Sequence, residues 1–152
     1  MHHKQFKRKK MKRIFILLIV LPLLSFNSDS NAVNITAIDL IGKWTGEDKG
    51  KIGFITFDKE GYASFEILGQ IIGGKEFVMN GKKGKMTYEF NLEKKPIEID
   101  MTITKLESNE QKKILCIAEF EDENTMIFAM TFDSERPTEF NDENSIKLKR
   151  TE

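Results

Sequence analysis

Met86-Thr87-Tyr88-Glu89-Phe90-Asn91-Leu92, then Glu93-Lys94-Lys95-Pro96, then Ile97-Glu98-Ile99-Asp100-Met101-Thr102-Ile103-Thr104: this stretch decides the fold class. Apolar and polar residues alternate with period two on both sides of a short polar break. Successive side chains of a strand point to opposite faces, so each run offers one apolar face to a core and one polar face to water. Half-buried antiparallel strands read this way. The alternation returns at Met126, Phe128, Met130 and Phe132, and again at Ile146 and Leu148. Upstream, Ile52 to Phe57 and Tyr62 to Leu68 flank Asp58-Lys59-Glu60-Gly61, whose glycine suits a hairpin loop. Gly69 to Lys75 reads as a glycine-rich loop, and Gly81-Lys82-Lys83-Gly84 as a turn after a strand around Phe77 to Met79. Asp122-Glu123-Asn124 turns the chain after an apolar strand around Cys116. Nowhere is there a crossover long enough for a βαβ unit. The expectation is an all-β protein: an antiparallel up-and-down β-barrel of eight or nine strands, closed so that its edges are paired.

Charge and residue usage narrow the chemistry. The chain of 152 residues carries 24 basic and 24 acidic side chains, but seven of the basic ones lie in residues 1–32 beside a single acid, Asp29. Residues 33–152 are therefore acidic, 17 basic against 23 acidic, and contain no histidine and one cysteine, Cys116. That excludes Ser-His-Asp and Cys-His triads and any His/Cys zinc site. An acidic domain also argues against nucleic acid as a partner. No Asp-x-Asp-x-Asp-Gly loop and no Gly-x-Ser-x-Gly elbow occurs, and the acidic group Glu119, Glu121, Asp122 and Glu123 reads as a solvated turn. We expect no catalytic residues, no metal and no cofactor. Cys116, inside an apolar strand with no basic neighbour, reads as a small buried hydrophobe.

Residues 1–32 read as a secretory signal peptide. A basic run leads into Ile14 to Phe26, thirteen uncharged residues, followed by a polar stretch in which Ser30-Asn31-Ala32 offers small residues for cleavage after Ala32. Thirteen helical residues span roughly 20 Å, short of a bilayer core of about 30 Å. Met11 itself opens a conventional leader, so the first ten residues read as an upstream start. No cysteine follows the apolar run to accept a lipid. The expectation is a domain of residues 33–152, secreted or periplasmic, not a lipoprotein, with no stable membrane span after cleavage. Asn34-Ile35-Thr36 is a glycosylation tripeptide of the kind common by chance.

Ile38-Asp39-Leu40-Ile41-Gly42-Lys43-Trp44-Thr45-Gly46 places Gly42-x-Trp44 after a short apolar helical turn. This resembles the opening of lipocalins and the wider calycin group. Ile55-Thr56-Phe57-Asp58-Lys59-Glu60-Gly61 and Pro96-Ile97-Glu98-Ile99-Asp100 look like secreted bacterial lipocalin-like domains of unknown function, and Glu135-Arg136-Pro137-Thr138-Glu139-Phe140 is similar to a motif that closes one family of them. The resemblance implies that Gly42 turns the chain into the first strand and that Trp44 plugs one barrel end. It also implies an arginine packed across the tryptophan, with Arg136 and Arg150 the candidates. Two features depart from the group: the Thr-Asp-Tyr segment of a mid-barrel loop is missing, and so is the C-terminal helix.

Two functional expectations follow. The first is a small hydrophobic ligand or lipid bound inside the barrel, with Phe54, Phe65, Met79, Met86, Phe90, Met101, Phe128 and Met130 as candidate liners, since methionine and phenylalanine adapt to varied apolar shapes. Ile71-Ile72 would form a lid. The second is a barrel filled by those same side chains, acting on a protein partner through its surface, for example as an inhibitor. Loops 69–75 and 133–144 would then form the interface. The basic turn Gly81-Lys82-Lys83-Gly84-Lys85 reads as a contact for an anionic lipid or a partner, or as a guard of solubility. The oligomeric state is not legible.

Overall fold

A computed structural model describes residues 35–151. The expected signal peptide, its cleavage point and Asn34 lie outside the described residues. A short helix, α1 (Ala37–Leu40), leads into ten strands: β1 (Gly42–Asp48), β2 (Lys51–Phe57), β3 (Ala63–Ile67), β4 (Gln70–Gly73), β5 (Phe77–Met79), β6 (Lys82–Asn91), β7 (Ile97–Lys105), β8 (Gln111–Asp122), β9 (Thr125–Met130) and β10 (Ser145–Arg150). They form one antiparallel sheet in the order β4-β3-β2-β1-β10-β9-β8-β7-β6-β5. Neighbours in the sheet are neighbours in sequence except where β10 pairs with β1, so the chain is an up-and-down barrel whose seam lies between β4 and β5. The seam is partly sewn: Met86 N–H donates to the Gly74 carbonyl (2.9 Å), Tyr88 N–H donates to Gly61 (3.1 Å), and Tyr62 bridges Thr87.

Three tight turns share one end of the barrel. Asp48 pairs with Lys51, Ile67 with Gln70, and Met79 with Lys82, so each turn has two residues. Their central residues all have positive φ: Lys49-Gly50, Leu68-Gly69 and Asn80-Gly81. A two-residue hairpin needs this because only the primed turns match the right-handed twist of the strands. We call this the hairpin end, and it also carries the β7–β8 turn and residues 131–144. The opposite, plugged end carries α1 and the turns at 58–61, 92–96 and 123–124.

The expected loop at 69–75 is corrected by the structure. Gln70–Gly73 is the short strand β4, paired with β3, and this strand accounts for the count of ten. Its glycines hid it. Gly73 pairs with Ser64 at the strand's end, and only glycine fits there: φ is +116°, and a Cβ would lie 2.4 Å from the Ala63 carbonyl oxygen, so the backbones close up where no side chain intervenes.

Inside, the alternation read from residues 86–104 holds. Met86, Ile99, Met101, Cys116, Ala118, Met126, Phe128 and Leu148 join Trp44, Ile55 and Phe57 in one core. Phe57 meets Tyr88 and Phe90 edge-on at 5.1 and 5.3 Å, contacts each worth about 0.5–1.5 kcal/mol beyond the area they bury. Among the described residues no helix is long and apolar enough to cross a membrane.

Candidate functional site

The plugged end is built around Trp44. Its indole Nε1–H donates to the Leu40 carbonyl at 3.0 Å, and Phe120 meets it edge-on at 5.8 Å. The Arg150 guanidinium lies 4.3 Å over the indole ring; Nη1 donates to the Ile41 carbonyl (2.9 Å) and Nη2 to that of Asp39. Gly42 makes room for this arrangement. It has φ +139°, and a Cβ there would come within 2.8 Å of Arg150 Nη1. The arginine across the tryptophan is therefore Arg150, on the strand that closes the barrel. This end is a structural seal.

Arg136 does something else, which corrects its place beside Arg150 as a candidate. Its Nη1 donates to the Cys116 carbonyl at 2.8 Å, Nη2 pairs with Asp100, and Nε lies 3.7 Å from Glu98. These groups sit on the outer wall of β7 and β8, so residues 131–144 fold back onto the barrel as a strap. Thr131 Oγ1 donates to the Glu135 carbonyl at 2.5 Å, Asn144 Nδ2 to that of Glu139 at 3.1 Å, and Pro137 is buried. By alternation Ile117 and Ala129 face outward, yet they are 2 % and 0 % exposed, because the strap covers them. Burial pushes the Asp100 carboxyl up; the Arg136 and Lys113 hydrogen bonds and charges outweigh it and hold the group below its ordinary value.

The eight candidate liners separate into three groups. Met86, Met101 and Phe128 are at most 1 % exposed, so no water-sized space adjoins them. Phe65, Phe90 and Met130 are half-buried and packed against the core. Phe54 and Met79 line no interior. Phe54 stands on the outer wall, where Lys43 Nζ lies 4.1 Å over its ring and pairs with Glu66 at 2.9 Å. Met79 lies exposed at the hairpin end. The inward glycines open no cavity either. A Cβ on Gly46 would meet Ile146 Cδ1 at 2.7 Å and Leu148 Cδ2 at 2.8 Å, and one on Gly84 would meet the Phe77 ring at 3.0 Å. Neighbouring side chains already occupy those spaces.

An open hollow of about 570 Å³ lies outside the plugged end, lined by Asp122, Glu123, Asn124, Thr125, Lys149 and Arg150. It is wide open to solvent. Among the described residues, no three of His, Cys, Asp and Glu converge as a metal site requires.

What remains is the hairpin end. Ile72 points inward against Phe65, its partner on β3, while Ile71 is exposed on the outer face; the two isoleucines thus part company across β4 rather than acting together as a lid. Ile67, Leu68, Val78 and Met79 are also exposed, on the β3–β4 and β5–β6 hairpins. Leu68 and Val78 were not singled out by sequence; the signal for Leu68 was a leucine immediately before the glycine of a turn. No family model, no curated protein and no solved structure matches this chain.

Proposed function

We propose that this chain is an exported, lipocalin-like barrel that catalyses nothing and works by docking through its hairpin end, as an interaction module of the cell envelope. One observation carries the choice of an outer surface over an inner cavity. Met86, Met101, Phe128, Met126, Phe57 and Trp44 are covered to within 1 %, and the inward glycines are overlaid by side chains, so the barrel interior is occupied by the protein itself. Export is supported by the leader-like residues 1–32, and the kinship by Gly42-x-Trp44 with Arg150 on the indole. The absence of histidine from residues 33–152 supports the reading without catalysis.

Placing a photo-crosslinking amino acid at position 71 and, separately, at position 94 tests the docking surface in living cells. Lys94 is exposed in the turn at the plugged end. Adducts are expected from position 71 and none from position 94. Equal yields from both, or none from position 71, sinks the proposal.

A second reading has its own support. Phe65, Ile72, Ile103, Met130 and Ile146 are half-buried apolar side chains packed against the core. They would hold a small hydrophobic molecule shallowly, near the hairpin end rather than in a deep calyx.

A further inference from the structure

Resting on that docking reading, we infer that the partner of the hairpin end is an anionic lipid bilayer, into which the β3–β4 and β5–β6 hairpins dip. Two independent distributions coincide there. Of the nine large hydrophobic residues exposed among the described residues, five lie on these two hairpins: Ile67, Leu68, Ile71, Val78 and Met79. Monomeric proteins seldom gather exposed apolar side chains in one place without a use. The same stretch, residues 67–88, holds four lysines; Lys75 pairs with Glu60 at 3.6 Å and Lys83 with Glu76 at 2.9 Å, which leaves Lys82 and Lys85 as a local positive charge within a domain whose net charge is −6. Lys82 and Lys85 form no ion pair within 4.0 Å among the described residues, although Glu110 on the β7–β8 turn feels the charge of Lys82.

Apolar tips flanked by lysine are the chemistry that partitions to the boundary of a negatively charged membrane: the tips enter the acyl region and the ammonium groups stay with the lipid phosphates. A protein groove would supply apolar contact without needing the local reversal of charge.

The residue at the β3–β4 turn tip is itself unusual. Leu68 occupies a left-handed turn position at φ +51°, where a leucine is disfavoured, and its side chain is 75 % exposed. The equivalent position of the β5–β6 turn is Asn80, at the same φ of +51° and with a side chain that tolerates it. Lys49 holds the same position in the β1–β2 turn, so the hairpin sets the backbone, and what distinguishes Leu68 is a large apolar side chain at an exposed turn tip.

The test is co-sedimentation with vesicles. The full chain is expressed in bacteria and taken in the form the cell delivers, with its intact mass read. Vesicles are of phosphatidylglycerol and phosphatidylcholine in equal parts, or of phosphatidylcholine alone. Binding to the anionic vesicles, weakened by salt, with at least about tenfold less to the neutral ones, is expected. Two double variants, Leu68→Asn with Val78→Thr and Lys82→Glu with Lys85→Glu, should each lose about tenfold or more. Lys94→Glu with Lys95→Glu, the same charge change at the plugged end, should lose little. Unchanged emission from the sole tryptophan, Trp44, certifies that each variant is folded. Absent binding, equal binding to both vesicle types, undiminished binding by the hairpin variants, or an equal loss in the Lys94/Lys95 variant overturns the inference. If vesicles fail while position 71 still crosslinks to a protein, the lipid inference falls and the docking reading stands. If both fail, both fall.

Discussion

Cys116 shows how a single residue's role is set by what surrounds it. It faces the core from β8, fully buried, with its Sγ 3.8 Å from the Ile114 carbonyl. Burial pushes its thiol up to about 12; the charge of Arg136 pulls it down and that of Asp100 pushes it up again. A thiol that keeps its proton at every ordinary pH is neither nucleophile nor metal ligand. We expect no alkylation of the folded protein by a maleimide reagent at pH 8, and complete alkylation once urea unfolds it. Fast labelling of the native state would mean that β8 opens. The thiol also biases stability at high pH. Its folded value is raised, so its contribution is intact below the ordinary thiol value near 8.5 and declines as pH rises above it, because the unfolded chain ionises first.

At the scale of the element, the strap from Thr131 to Asn144 is the part the sequence described least. Glu135-Arg136-Pro137 marked the segment as notable, but nothing in its composition says that it lies on a wall. The sign was instead on the wall: Ile127 and Ala129 fill outward positions of β9 where polar residues were due, as Ile117 does on β8. Phe54 illustrates the same difficulty. β2 is apolar on both faces, with Ile52 and Phe54 outward and Ile55 and Phe57 inward, so alternation cannot say which set enters the core. β6 and β7 were legible because each has one plainly polar face.

The strap hangs on Arg136, and its removal has a pH signature. Asp100 titrates below its ordinary value of 3.8 in the folded protein. A depressed carboxyl stabilises the fold above its unfolded value and loses that contribution as pH falls through the folded one. Arg136→Ala should therefore destabilise the protein by about 1–3 kcal/mol at pH 7, since it strips a half-buried carboxylate and a carbonyl of their donor. The difference from wild type should shrink below pH 3.8 as Asp100 protonates. Urea unfolding at several pH values measures both. Hydrogen exchange at Ile117 and Ala129 should quicken in the same variant; unchanged protection there would show that the strap is held by other contacts.

The whole molecule is a barrel whose two ends are built differently. One is sealed by Trp44, Phe120 and Arg150, which also ties α1 to the last strand. The other ends in tight hairpins that carry exposed apolar residues and, near the seam, a local excess of lysine. The barrel itself was readable from alternation and short turns. Whether it is hollow was not, because the same methionines and phenylalanines line a cavity or fill one; only the placement of side chains against the inward glycines separates the two. The central claim is that the interior is full and the surface does the work. Native mass spectrometry of the protein recovered from expressing cells without detergent, weighed intact and after denaturation, tests it most directly. For the Leu68→Asn, Val78→Thr variant we predict one mass, that of the polypeptide alone, before and after incubation with a lipid extract. A defined small molecule that stays bound to the Leu68→Asn, Val78→Thr variant and leaves only on denaturation would show a ligand in the barrel, and would contradict the account.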